Sequence, residues 1–222
     1  MGKYLKLFET DSERVGYEDS ENYLEPYVSY VEGDNTVHYN KPQETRVIAV
    51  FNVTDTSNAI RIMGTSKASN FSEIEIDGVV QPSVVESYQF STTGEHTVKY
   101  TLIDYTIIGG AVFSSCANLT SVTIPSSVNT ISTWAFDSCS GLTSVTIPNS
   151  VTSIGYEAFY GCSGLTSIVC NATIAPTIQN STFQNIKTNG TLTVPIGSSG
   201  YDVWMGTGNH YLGKYNWTKV EQ

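Results

Sequence analysis

Apolar side chains recur along the second half of the chain at a fixed interval of 23 residues. Set in register, residues 106–128 read TIIGGAVFSSCANLTSVTIPSSV, residues 129–151 read NTISTWAFDSCSGLTSVTIPNSV, and residues 152–174 read TSIGYEAFYGCSGLTSIVCNATI. The apolar columns hold Ile108, Ile131 and Ile154; Phe113, Phe136 and Phe159; Cys116, Cys139 and Cys162; Leu119, Leu142 and Leu165. They continue with Val122, Val145 and Ile168, then Ile124, Ile147 and Cys170. A degraded fourth unit keeps Ile178 and Phe183, puts Ile186 in the cysteine column, and ends on Leu192, Val194 and Pro195.

Each unit reads as one coil. In TSVTIP the Val and Ile lie two apart and share a face, while Ser and Thr face the other way, which predicts a strand with one buried side. Pro125 and Pro148 end it, because proline has no N–H to give the ladder. The AFxxC segment fits a helical or 3₁₀ turn that points Phe and Cys inward. One coil cannot bury its own apolar face, so the units must stack. At about 4.8 Å per rung, roughly four to five coils make a stack only about 20 Å long, which needs a cap at both ends.

Outside the repeats the period disappears. Residues 46–104 alternate in short runs (VIAVFNV, AIRIM, SEIEIDGVV, SYQFS, HTVKYTL) split by polar or Gly-containing turns. That pattern predicts a small antiparallel β-domain acting as the N-terminal cap. Ile74 and Ile76 are expected inward with Glu73, Glu75 and Asp77 outward, and Val98, Tyr100 and Leu102 are expected to form the first rung. Residues 1–45 predict a small acidic β/α element: a strand in KYLKLF, a weak helix in DSERVGYEDSENYL, and a hairpin in PYVSYVEGDNTVHYN turning near Gly33–Asn35. In the tail, 196–222, Tyr201, Trp204, Met205, Tyr211, Tyr215 and Trp217 are expected to cover the last open rung. The repeats themselves occupy 105–195.

The run AFxxCxxLTSVTIPxSVTSIG resembles the bacterial surface-antigen-type leucine-rich repeat, the BspA-like family, over roughly residues 98–195. Val112 stands where the motif has Ala, and residues 169–171 read VCN where it has TIP. The fold class expected is mainly β with short helical turns: a short leucine-rich-repeat solenoid of parallel stacked strands behind an antiparallel cap. The resemblance implies surface display, adhesion and protein contact in gut and oral bacteria of the Bacteroides type, with some relatives in phage-like proteins. The expected location is therefore the cell surface or a phage-like particle.

Charge narrows the function. Of the net charge of −10, the repeats at 106–174 hold only Asp137 and Glu157, with no Lys or Arg. No basic stripe exists to neutralise a phosphate backbone or an anionic bilayer, so nucleic-acid binding and electrostatic membrane docking are not expected. The start, MGKYLKLFETDSE, turns acidic at once and predicts neither a secretory leader nor a membrane span in this chain.

Chemistry is sparse. His38, His96 and His210 have no Cys, carboxylate or second His at a ligand spacing, and no GxSxG, Walker A or dinucleotide fingerprint occurs. No catalytic residue, metal or cofactor is therefore expected. Glu73, Glu75 and Asp77 could line a calcium site or simply a solvated strand face. The cysteines recur at the period of the fold, as a buried core column would, although in-register rungs leave a disulfide open on distance alone.

Two surfaces remain as candidate contacts. Thr120, Thr143 and Thr166, with Thr123 and Thr146, form a hydroxyl ladder on the outward strand face, or merely reflect the preference of Thr for strands. Trp204, Tyr211 and Trp217 could present a sugar-stacking platform in addition to capping. The expected function is a non-enzymatic binding or adhesion module for a protein or glycan. The alternative is a structural spacer or a phage-like particle component with no ligand of its own.

Overall fold

Val122, Val145 and Ile168 are buried while Ser and Thr beside them face outward, and parallel strands follow from that alternation. In the computed structural model, which describes residues 29–32, 35–38, 45–208 and 210–222, the strands are β10 (Leu119–Thr123), β12 (Ser144–Ile147) and β14 (Ser167–Cys170). Val122 pairs with Val145, and Val145 with Ile168, so each rung lies 23 residues from the next. The ladder continues through β16 (Thr191–Val194) to β17 (Thr218–Glu221), all parallel. A second side of each coil is a two-residue strand. β9 (Ile107–Ile108), β11 (Thr130–Ile131), β13 (Ser153–Ile154) and β15 (Thr177–Ile178) pair in parallel to make a four-stranded sheet.

The third side is a row of short turns, as expected, and none of them runs on into a helix. Ala111, Trp134, Glu157 and Ser181 have φ of 56°, 58°, 52° and 63°, and Ser115, Ser138 and Asn185 are also left-handed. A helix cannot continue through such residues. Successive tight turns form instead, with the Cys139 N–H donating to the Phe136 carbonyl at 3.2 Å and the Asp137 N–H to the Trp134 carbonyl at 3.1 Å. The remaining amides reach the next coil: Phe113 N–H donates to Ala135 O at 2.8 Å, and Phe136 N–H to Ala158 O at 2.8 Å. Phe and Cys still point inward, as the sequence requires.

Inside the coils the phenylalanines lie in single file. Ring centroids of Phe113, Phe136, Phe159 and Phe183 are 5.4, 5.3 and 5.9 Å apart, with planes within 12° of each other. Tyr100 and Phe71 close the file at one end, and Trp204 and Tyr201 close it at the other. The four cysteines are free and buried, and Cys139 and Cys162 donate their thiol hydrogens to the Phe113 and Phe136 carbonyls. Burial pushes the Cys116 thiol up to about 12, which keeps it protonated and unreactive.

The first rung differs from its expectation. Its neighbour is β3 (Arg46–Val53), antiparallel, with Ala49 opposite Val122; β8 (Gly94–Leu102), which carries Val98, Tyr100 and Leu102, lies one strand further out. β5 (Phe71–Ile76) and β6 (Val79–Val80) complete a nine-stranded sheet shared by cap and repeats. Reversing strand direction ends the parallel stack, and Tyr100 still supplies the ring beneath Phe113. A two-stranded ladder of β4 (Ile60–Arg61) and β7 (Ser87–Tyr88) lies beside this sheet in sequence. Ile74 and Ile76 are buried as expected, and Glu73 and Glu75 pair with Arg46 and Lys99. Those cations satisfy the carboxylates that a calcium site would need.

Residues 1–44 form a separate unit from 45–222. Within it β1 (Ser29–Glu32) and β2 (Asn35–His38) pair antiparallel with Glu32 opposite Asn35, the expected hairpin. The expected KYLKLF strand and acidic helix lie outside the described residues. Among the described residues no helix is long and apolar enough to cross a membrane.

His96 has a partner that its sequence neighbours do not announce. Its Nδ1 is 2.7 Å from Asp77 Oδ2 and its Nε2 is 2.9 Å from the Thr92 carbonyl. Both ring nitrogens meet acceptors, which favours the protonated ring, in which both are donors. Burial disfavours the charge, but the Asp77 hydrogen bond, the Thr92 carbonyl and the Asp77 charge together outweigh it and raise the pKa above 6.5. A raised folded-state value stabilises fully below the unfolded value and is lost as pH rises through the folded one. Replacing His96 by Gln should therefore destabilise more at pH 6 than at pH 8.5, read as a gap in urea midpoint that narrows with pH. A pH-independent gap contradicts the imidazolium assignment.

Candidate functional site

The strand face is chemically uniform and largely self-satisfied. Thr120, Thr143 and Thr166 donate their hydroxyls to the carbonyls of Val50, Thr120 and Thr143 at 3.1, 3.2 and 3.3 Å. Each hydroxyl hydrogen is spent on the preceding rung, which ties coils together and removes it as a donor to a ligand. Thr123 and Thr146 stand exposed beside this column, paired with each other in the ladder.

At the C-terminal end the tryptophans are core. Trp204 is 1% exposed with its Nε1 donating to Pro176 O at 3.0 Å, and Trp217 is 5% exposed with Nε1 on Lys187 O at 2.8 Å. Both indole rings of the expected sugar platform are thus buried, Trp204 tilted against Phe183 at 5.4 Å. Tyr211 alone of the three is partly open.

The turn side is different. Two columns of side chains project from it, each set by one recurring backbone position. One sits at the left-handed residue two before the phenylalanine and holds Ala111, Trp134, Glu157 and Ser181. The other follows the phenylalanine and holds Ser114, Asp137, Tyr160 and Gln184. Seven of these eight residues, Ser181 excepted, line one groove of about 470 Å³ that crosses four coils. Both charged residues of the repeats at 106–174 lie in it.

The groove is held from within. Trp134 is 47% exposed, and its Nε1 donates to Glu157 Oε2 at 2.8 Å. Asp137 accepts from Ser114 Oγ and Ser138 Oγ, both at 3.1 Å. Hydrogen bonding to Glu157, aided by slight burial and the Glu157 charge, raises the phenol of neighbouring Tyr156, itself exposed. A tryptophan in the left-handed region is uncommon, since its Cβ crowds the following carbonyl at about 1–2 kcal/mol. The ladder bonds from Ala111 N–H to Thr133 O and from Trp134 N–H to Tyr156 O fix that backbone regardless of side chain.

Sequence reading passed over this site because Asp137 and Glu157 occupy different columns of different coils. The available signal was variation within the repeats. The inward columns keep their residues from unit to unit, whereas these two columns change at every unit. Among the described residues no group of three His, Cys, Asp or Glu side chains is placed to hold a metal.

Stacked 23-residue coils with a strand side, a short-strand side and a turn side define a leucine-rich-repeat solenoid. The chain belongs to the family described as the BspA type leucine rich repeat region, which matches residues 83–200 in six copies. Comparison with curated proteins and with solved structures returned no match. Repeat scaffolds of this class are typical of binding modules and not of catalysts.

Proposed function

We propose that this protein is a non-enzymatic binding module whose contact surface is the turn-side groove of Trp134, Asp137, Glu157 and Tyr160. The observation that carries this reading is the division of labour among columns. Inward positions repeat and are buried, Thr120, Thr143 and Thr166 repeat and spend their hydroxyls on the ladder, and in residues 106–174 the groove columns alone carry charge, beside changes of size and aromaticity from coil to coil. A repeat protein gains specificity where its units differ, because the framework positions are committed to stacking. Aromatic rings with a few oriented polar groups are the usual lining of a recognition site. The partner is a protein, and display on a cell surface or a phage-like particle goes with the reading, motivated by the family resemblance.

The decisive variant is Trp134→Gly. Glycine adopts positive φ without strain, so the fold should persist with a Tm within about 3 °C of the parent. Panning a random-peptide display library against the parent should enrich binders that fail on Trp134→Gly. Enriched peptides that ignore this change but fail on Thr123→Lys or Thr146→Lys would move the function to the strand face and overturn the proposal.

A further inference from the structure

Resting on that reading of the groove, we propose that it seats a protonated lysine or arginine side chain of the protein partner. The argument begins with charge. In the 45–222 unit the carboxylates of Glu73, Glu75 and Glu221 meet cations: Arg46 with Glu73 and Glu75, Lys99 with Glu75, Lys219 with Glu221. Asp137 and Glu157 share no such ion pair among the described residues, and residues 106–174 hold no Lys or Arg. Their partners are neutral donors: an indole N–H for Glu157 and two serine hydroxyls for Asp137.

Neutral donors orient a carboxylate without cancelling its charge. Each carboxylate has about four acceptor sites, so one or two bonds leave capacity toward the groove. The same groove is lined by Trp134 and Tyr160, and the face of an aromatic ring attracts a cation through its quadrupole. Carboxylates and aromatic faces together suit a guanidinium or an ammonium with its methylene stem laid along the rings. A neutral glycan could use the rings and the acceptors, but it would leave two uncompensated negative charges facing it. Charge complementarity therefore favours a basic side chain.

The test uses the full chain and an acetylated, amidated Gly-Lys-Gly-Arg-Gly peptide, followed by calorimetry at low salt. The control peptide carries acetyl-lysine and citrulline, which remove the charges and keep the length. The basic peptide should bind and the control should not. Asp137→Asn and Glu157→Gln should each weaken binding by about threefold or more, the upper part of the range for an exposed ion pair. Raising salt to 0.5 M should weaken it further. Equal binding of both peptides, no binding of the basic one at millimolar concentration, or indifference to both carboxamide variants overturns the proposal. A peptide or glycan lost in Trp134→Gly but indifferent to Asp137→Asn and Glu157→Gln sinks the basic side chain and leaves the groove standing. A ligand indifferent to Trp134→Gly as well sinks both.

Discussion

Replacing Phe136 by Ala should remove about 3–5 kcal/mol of stability, the range for truncating a buried aromatic ring. The ring is fully buried and lies between Phe113 and Phe159 at 5.4 and 5.3 Å, with planes within 8° of both. Its loss empties the middle of the file and separates the rings on either side. The coils cannot collapse to fill the gap, because the Phe113–Ala135 and Phe136–Ala158 backbone bonds hold the rung spacing. Urea unfolding followed by circular dichroism should show a much lower midpoint and a single transition, since neighbouring coils depend on each other's contacts. A change below about 1 kcal/mol would mean that the file does not carry the stack.

Replacing Trp204 by Ala should cost a similar amount, about 3–5 kcal/mol, but distribute it differently. Trp204 packs on Phe183 at 5.4 Å and on Tyr201 at 5.4 Å, and its N–H satisfies the Pro176 carbonyl. Removing it exposes the apolar end of the last full coil and strands that acceptor. Terminal units of a solenoid have neighbours on one side only, so fraying should begin there. Hydrogen exchange should quicken at β16 and around Phe183 before it quickens at β10 and β12. Uniform acceleration across all rungs would show that the aromatic tail does not act as a cap.

The two variants probe opposite ends of what the residues made legible. Phe113, Phe136 and Phe159 share a column because the chain winds once per 23 residues, and that period is visible by inspection. The inward Ile, Leu and Val columns were legible for the same reason. The neighbour of the first rung was not, since both β3 and β8 alternate like strands and sequence does not say which edge meets β10. The left-handed turns were hidden as well. Trp134, Glu157 and Ser138 stand where a glycine would have announced the conformation, and only Gly161 does so. Trp204 and Trp217 read equally well as platform or plug, and the difference lies in packing that only coordinates reveal. His96 and Asp77 meet across neighbouring strands, a contact that no ligand spacing encodes.

The groove sits between these cases. Its columns are visible once the units are set in register, but they do not repeat as the inward columns do. Asp137 and Glu157 looked isolated because each stands alone in its own column. Projection from adjacent turns in successive coils brings them to one surface, beside the single exposed tryptophan.

That last feature gives a measurement needing no ligand. The chain has three tryptophans, of which Trp204 and Trp217 are buried and Trp134 is exposed beside uncompensated carboxylates. Relative to free N-acetyltryptophanamide, collisional quenching of the protein's emission should therefore be less reduced with caesium than with iodide, and Trp134→Gly should abolish the quenchable fraction. Quenching that survives Trp134→Gly, or an equal reduction for the two ions, would contradict an exposed, negatively charged groove on the turn side.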